Sequence, residues 1–304
     1  MITIASESGY LLQDDQQPSA TPAPPSSAAP APKPRRRPFP GWARQLLLGL
    51  PVPLLLIVFW HLGVRNGWTL PFDIRMAQVP APLEVGRRLA DIAFGGLIND
   101  PFSGELAKHA WASGVRVVSG FAAAAAIAIP LGVLMGRSRL LAALLDPVVN
   151  LVRPIPVTAW VPLALIIIGI GDRATIFLVF LAAFFPVLLN TITAVYQVPN
   201  RLLEASAMLG TPRSQALYKV VIPAAAPGII GGLRIALGLS WVILVVGETT
   251  GIRIGLGAMI NEAQEVSKTD LVVAGMVVIG LIGFLTDRLL VGLVKVFAGR
   301  RPLL

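Results

Sequence analysis

The sequence predicts an all-α integral membrane protein with about six transmembrane helices. Of its 304 residues, 55% are hydrophobic and only 13% are charged, whereas soluble domains carry about 25% charged residues. The mean hydropathy is +0.75, and a water-soluble globule of this size would need far more polar surface. Apolar runs long enough to cross a bilayer recur along the chain, and basic residues punctuate them. The net charge of +9 therefore reads as topology information rather than as a nucleic-acid-binding face.

Residues 1–40 are rich in Pro, Ala and Ser (TPAPPSSAAPAPKP). Such a composition buries too little apolar surface to fold, so a disordered tail is expected. Its basic end (Lys33, Arg35, Arg36, Arg37) precedes an apolar run, as in a signal peptide. The tail is long for that, and no small-x-small cleavage site follows Trp60, so an uncleaved first span is expected. Residues 41–110 hold that span, about Leu46–Leu62, and an external segment. Pro51 and Pro53 are expected to kink the span, and Trp42 and Trp60 to mark its interfaces. In the external segment LEVGRRLADI has the period of an amphipathic surface helix.

Residues 111–304 form the core, with spans at about Val115–Met135, Leu145–Ile170, Thr175–Tyr196, Pro227–Val246 and Leu271–Val294. The second of these is interrupted by Arg153, Pro154 and Pro156. Six spans put both termini on one side. Placing the termini inside gives thirteen cytoplasmic Lys/Arg (33, 35–37, 44, 137, 139, 201, 213, 219, 295, 300, 301) against eight external ones (65, 75, 87, 88, 108, 173, 253, 268). The bias favours N-in/C-in.

Cysteine is absent, which excludes disulfides and thiolate chemistry. His61 and His109 sit at the edges of apolar runs in no ligand-spaced cluster, so an interfacial position is expected and no metal site.

Between the fourth and fifth spans lies VPNRLLEASAMLGTPRSQALYKVVIPAAAPG. Leu202, Leu203, Ala207 and Leu209 have helical spacing, Gly210 suits the left-handed position that ends a helix, and Thr211 and Pro212 suit the cap and first position of the next. The second helix is expected to stop before Pro223. The segment, residues 198–224, then reads as a rigid helical elbow on the cytoplasmic face.

This elbow resembles the coupling motif of binding-protein-dependent ABC importer permeases: Glu-Ala-Ala, three residues, Gly, nine residues, Ile-x-Leu-Pro. Here Glu204, Ala205 and Ser206 are followed by Gly210 and by Val220, Val221, Ile222 and Pro223 at the same spacing, with Ser206, Val220 and Ile222 as small or aliphatic replacements. VPAPLEV, RPIPVTAWVPLALIIIGIG, GLRIALGLSWVILVVGE and GLGAMI extend the resemblance over about residues 79–295, to the branch serving sulfonates, taurine, nitrate and bicarbonate.

The resemblance implies a type I importer permease fold in the bacterial inner (plasma) membrane. It implies a homodimer with two ATPase subunits on the cytoplasmic face and an external solute-binding protein. ATP and Mg would be bound by the ATPase subunits, and this chain would have no cofactor and no catalytic residue. No GxxxxGK[ST] motif occurs here, in keeping with a separate energy source. Glu204, Ala205, Ser206, Leu209, Gly210 and Pro223 are the implied coupling residues.

Charges within spans are costly and face bundle interiors or water. The candidates are Arg116, Arg153, Arg234 and Glu248. Arg116 and Glu248 lie near span ends and read as interface markers. Arg234 has two open readings: attraction of an anion, or a structural pair with Asp146 or Glu248 or snorkelling. Arg153, Pro154, Pro156 and Trp160 are candidates for shaping a translocation pathway with Arg234 and Glu248. Gly132/Gly136 and Gly228/Gly232 have the spacing of close helix contacts, including those of a dimer. The alternative function is an ion- or proton-coupled secondary transporter, against which the lack of evident mid-membrane carboxylates counts.

Overall fold

The computed structural model describes residues 49–71, 73–98 and 100–298. The tail at 1–40, Trp42 and the start of the first span lie outside the described residues. The remainder of that span is α1, Pro51–Arg65, an apolar helix of 15 residues. Pro51 and Pro53 stand in its first turn, where a missing amide breaks no helical bond, and the chain bends at Leu50, between helical Gly49 and α1.

A two-residue hairpin follows, β1 (Thr69–Leu70) antiparallel to β2 (Ile74–Arg75). Next is α2, Pro82–Phe94. Pro82 occupies its first turn, and the Ala81 amide donates to Glu84 Oε2 at 3.0 Å. The amphipathic helix is where the sequence places it, but Arg88 and Asp91 are buried rather than solvated.

The core elements are α3 (Leu106–Arg137), α4 (Arg139–Val152), α5 (Val161–Ile168), α6 (Asp172–Tyr196), α7 (Asn200–Met208), α8 (Arg213–Ala216), α9 (Ile222–Glu248), α10 (Leu256–Glu265) and α11 (Thr269–Ala298). Among the described residues, four stretches are long and apolar enough to cross a membrane: Leu106–Arg137, Asp172–Tyr196, Arg213–Glu248 and Thr269–Val296. The segments Arg139–Val152 and Val157–Ile168 form a pair bent by 82°. The third span is broken where the sequence interrupts it, at Arg153, Pro154 and Pro156. Pro154 and Pro156, with no amide hydrogens, follow the α4 cap Arg153, and a single 3-10 turn, Val157–Trp160, restarts the chain.

Helix α6 is the centre of the bundle, with α3 on one side and α9 on the other. A Cβ at Gly132 would lie 2.7 Å from Thr191 Cβ, and one at Gly136 would lie 2.8 Å from Val195 Cγ1. On the opposite side, a Cβ at Gly228 would lie 2.5 Å from Ala194 Cβ, and one at Gly232 would lie 2.5 Å from Asn190 Cβ. Both glycine pairs thus seat α6 within one chain; they are packing surfaces of this fold, not free faces for a second copy. Small residues let the backbones approach where lipid supplies no hydrophobic drive. Among the described residues, three apolar clusters fill the bundle, centred on Leu178 and Leu244, on Val187 and Leu188, and on Val195 and Val221.

Candidate functional site

The elbow begins where Pro199 caps α7 and ends α6's connection. At the far end of α7 the chain closes a Schellman motif. The Thr211 amide donates to the Ser206 carbonyl at 3.0 Å, and the Gly210 amide donates to the Ala207 carbonyl at 2.9 Å. Gly210 has φ +72°, a conformation that costs other L-residues roughly 1–2 kcal/mol. The sequence placed this glycine correctly.

Two details of the second arm differ from expectation. The cap is Pro212, with extended φ and ψ, and α8 starts at Arg213, so Thr211 belongs to the Schellman turn and caps nothing. The arm also does not stop before Pro223. It passes through a π-helical turn, Leu217–Val221, in which the Ile222 amide bonds to the Leu217 carbonyl, and continues as α9. The wider turn makes room for the Pro223 ring, which would otherwise clash with the preceding turn. The result is one helix from Arg213 to Glu248, 36 residues and roughly 54 Å long.

The elbow has an inner and an outer face. Ser206 is buried and donates to the Leu203 carbonyl at 2.8 Å, so the hydroxyl replacing a methyl is satisfied. Leu203 and Leu217 pack with Val195, Val198 and Val221, rooting the elbow on the ends of α3, α6 and α9. Beneath it lies a cavity of about 380 Å³ whose lining includes Arg137, Ser206, Thr211 and Arg213. On the outer face Glu204 and Ala205 are exposed, and the corner presents Met208 and Leu209 at 90% and 85% exposure. A rigid apolar knob beside a carboxylate suits insertion into a groove on another protein.

The opposite end of the bundle carries a charge cluster that the sequence did not reveal. Glu248, the last residue of α9, is 0% exposed. It accepts from Arg116 Nη1, from Ser113 Oγ at 2.7 Å and from the Gly257 amide at 2.8 Å. Arg116 Nε also donates to Asp172 Oδ1 at 2.9 Å, at the start of α6. The Leu256 amide donates to Ser113 Oγ at 2.8 Å, and His109 Nδ1 lies 2.8 Å from the Gly255 carbonyl. Thus Arg116, Glu248 and His109 are not interface markers. They hold the first turn of α10 against α3 and α9, with a carboxylate at a helix N-terminus. Asp172, with its side chain largely exposed, is the outer member of this network. A Cβ at Gly255 would lie 2.5 Å from the Glu248 carboxyl carbon. GLGAMI therefore opens with glycine because a carboxyl group occupies that space.

A second cluster secures α2. Arg88 donates to Asp270 at 2.7 Å and to Asp100 at 3.1 Å, and Lys268 also pairs with Asp100. Burial pushes the Asp91 carboxyl up, but hydrogen bonds from the Ile98 amide, the Ser103 hydroxyl and the Leu97 amide outweigh it and hold it below the usual carboxylate range. Burial likewise raises Asp100, and the Lys268 hydrogen bond, the Phe102 amide and the nearby charges of Lys268 and Arg88 bring it below that range.

Arg234 pairs with neither Asp146 nor Glu248. It makes a two-pronged bond to Asp287 of α11, Nε to Oδ1 at 2.7 Å and Nη2 to Oδ2 at 2.9 Å. Asp287 corrects the reading that no mid-membrane carboxylate is evident; the signal was the triplet Thr286–Asp287–Arg288 inside an apolar run. Arg153, Pro154 and Pro156 are exposed at the bend, and Trp160 packs on the main core. The structure does not gather Arg153, Arg234 and Glu248 into one constellation.

The comparisons with known proteins agree with this architecture. Residues 128–299 match the family described as binding-protein-dependent transport system inner membrane component. The chain is 41% identical over 249 residues to a putative ABC transporter permease protein of Methanocaldococcus jannaschii, covering 81% of this chain and 88% of that one. It is 37% identical over 246 residues to the taurine transport system permease protein TauC of Escherichia coli, covering 81% and 86%. Among solved structures, a chain of the MetNI methionine ABC transporter in inward-facing conformations shares the fold with a TM-score of 0.52 at 24% identity, covering 64% of this chain and 99% of that one. The chain therefore belongs to the family of binding-protein-dependent transport system inner membrane components, as a multi-pass permease of an ABC importer.

Proposed function

We propose that the chain moves a small anionic or zwitterionic solute inward by alternating access, as one of two copies that share two ATPase subunits and an external solute-binding protein. The observation that carries this is the elbow. A rigid, solvent-facing corner at Met208–Gly210 is continuous with the 36-residue helix Arg213–Glu248. Force applied to the corner tilts α9 directly and, through the seat on α6, the helices packed around it. ATP and Mg act on the ATPase subunits, whose closure pushes on Glu204, Ala205, Leu209 and Gly210; Ser206 and Pro223 keep the elbow's inner face and its junction with α9 in shape. The elbow then faces the cytoplasm, and the Glu248 cluster lies at the external end. The relative TauC is named for taurine, which is zwitterionic and favours a solute of the sulfonate class.

An ion-coupled mechanism needs an intramembrane carboxylate free to exchange its ion, and Glu248 is fully buried against Arg116. The discriminating experiment is uptake in vesicles with ATP supplied and the proton gradient collapsed. Uptake should persist. If it stops, the secondary-transporter reading replaces this one.

A further inference from the structure

We propose that the cavity between α9 and α11 is a water-filled zwitterion site, in which Arg234 takes the anionic end of the solute and Asp287 the cationic end. The proposal rests on the import reading and gives it a place and a substrate class. The cavity measures about 660 Å³ and is lined by apolar residues, including Trp241, Val242, Met276 and Phe284, with Arg234 and Asp287 as its charged pair. Volume and lining suit a small-molecule pocket with few polar groups.

Arg234 stands 14 residues before Glu248 in α9, roughly 21 Å along the helix. Asp287 stands 18 residues after Thr269 in α11, roughly 27 Å along. The pair thus lies deep in the span, yet its side chains remain 42% and 25% exposed. A charged pair at that depth avoids acyl chains and faces water. The groove is therefore wet, not lipid-filled.

The pair uses two of the five guanidinium N–H donors, leaving the others free. The Asp287 oxygens keep lone pairs for a cation. Because the two charges cancel, a bare monoanion gains little net attraction. A solute with an ammonium and an acid group lies along the pair's dipole and satisfies both ends. At Gly238, on the cavity wall, no atom lies within 4 Å of an added Cβ.

The chain has no cysteine, so Gly238→Cys gives a single thiol in the cavity. The test uses the complex with its ATPase and binding protein in nanodiscs, a charged, membrane-impermeant methanethiosulfonate reagent, and taurine, isethionate or nitrate as protectant. The thiol should be modified, and taurine at about ten times its Kd should slow modification about tenfold. Isethionate, which lacks the ammonium, and nitrate should not protect. Asp287→Asn should shift protection from taurine to the bare anions, and Asp287→Glu should keep it with taurine. An unreactive thiol, or equal protection by all three solutes, overturns the site. ATP-driven uptake in proteoliposomes reads the proposed solute separately: uptake of taurine without protection overturns only the site, and no ATP-driven uptake of taurine overturns the sulfonate-class assignment on which the site rests.

Discussion

Replacing Glu248 with alanine tests how the end of the bundle opposite the elbow is held. The change leaves Arg116 Nη1, Ser113 Oγ and the Gly257 amide without their acceptor in a buried site. Breaking a buried ion pair from one side costs about 3–5 kcal/mol. Asp172 still accepts from Arg116 and is itself largely exposed, so the lower end, about 3 kcal/mol, is expected. For a chain of this size that corresponds to a fall of about 5 °C in Tm. Glu248→Gln keeps the shape and one acceptor oxygen and should lose about half as much. The assay is thermal unfolding of the purified protein in detergent, followed by tryptophan fluorescence. Amide exchange at Leu256 and Gly257 should rise, while that of the elbow stays unchanged. A Glu248→Ala variant that unfolds at the wild-type temperature, with Gly257 still protected, would refute the reasoning.

Two adjacent glycines should behave oppositely. Gly232→Ala meets Asn190 at 2.5 Å and should cost about 1–3 kcal/mol by overpacking; Gly231→Ala meets nothing within 4 Å and should be neutral or stabilising by up to about 1 kcal/mol through helix propensity. Paired thermal melts check both. The Asp91 and Asp100 carboxyls are held below their ordinary range when folded, so their stabilisation is complete above about pH 4 and is lost as pH falls through the lower folded values. Tm should stay flat from about pH 8 to 5 and fall below about 4, with a smaller acid-induced fall in Asp91→Asn; a fall already complete at pH 5 would contradict the assignment.

What the sequence made legible was local. Gly210 announced the left-handed turn because few other residues tolerate it, and LEVGRRLADI announced α2 through its period. The long apolar runs announced the spans. What it hid was pairing across distance. Glu248 meets Arg116 across 132 residues, and Arg88 meets Asp270 across 182. No local pattern says that such charges will be buried together. Span-end position suggested interfaces for Arg116, Glu248 and His109, whereas the true determinant is the first turn of α10 packed among them. Pro223 misled for a different reason: proline forbids a regular turn, and the chain uses a π turn to carry the helix past it. The glycine pairs were read correctly as close contacts, but their partner is α6 of the same chain.

The central claim is that the elbow transmits work from a separate ATPase to this chain. Gly210→Pro tests it most directly. Proline cannot adopt φ +72° and removes the amide that bonds to Ala207. The complex is reconstituted with its ATPase subunits and binding protein, and ATP hydrolysis and solute uptake are measured on the same vesicles. The membrane fold should persist and uptake should be lost, with any remaining ATP hydrolysis uncoupled from it. Full ATP-driven uptake by the Gly210→Pro variant would contradict the claim.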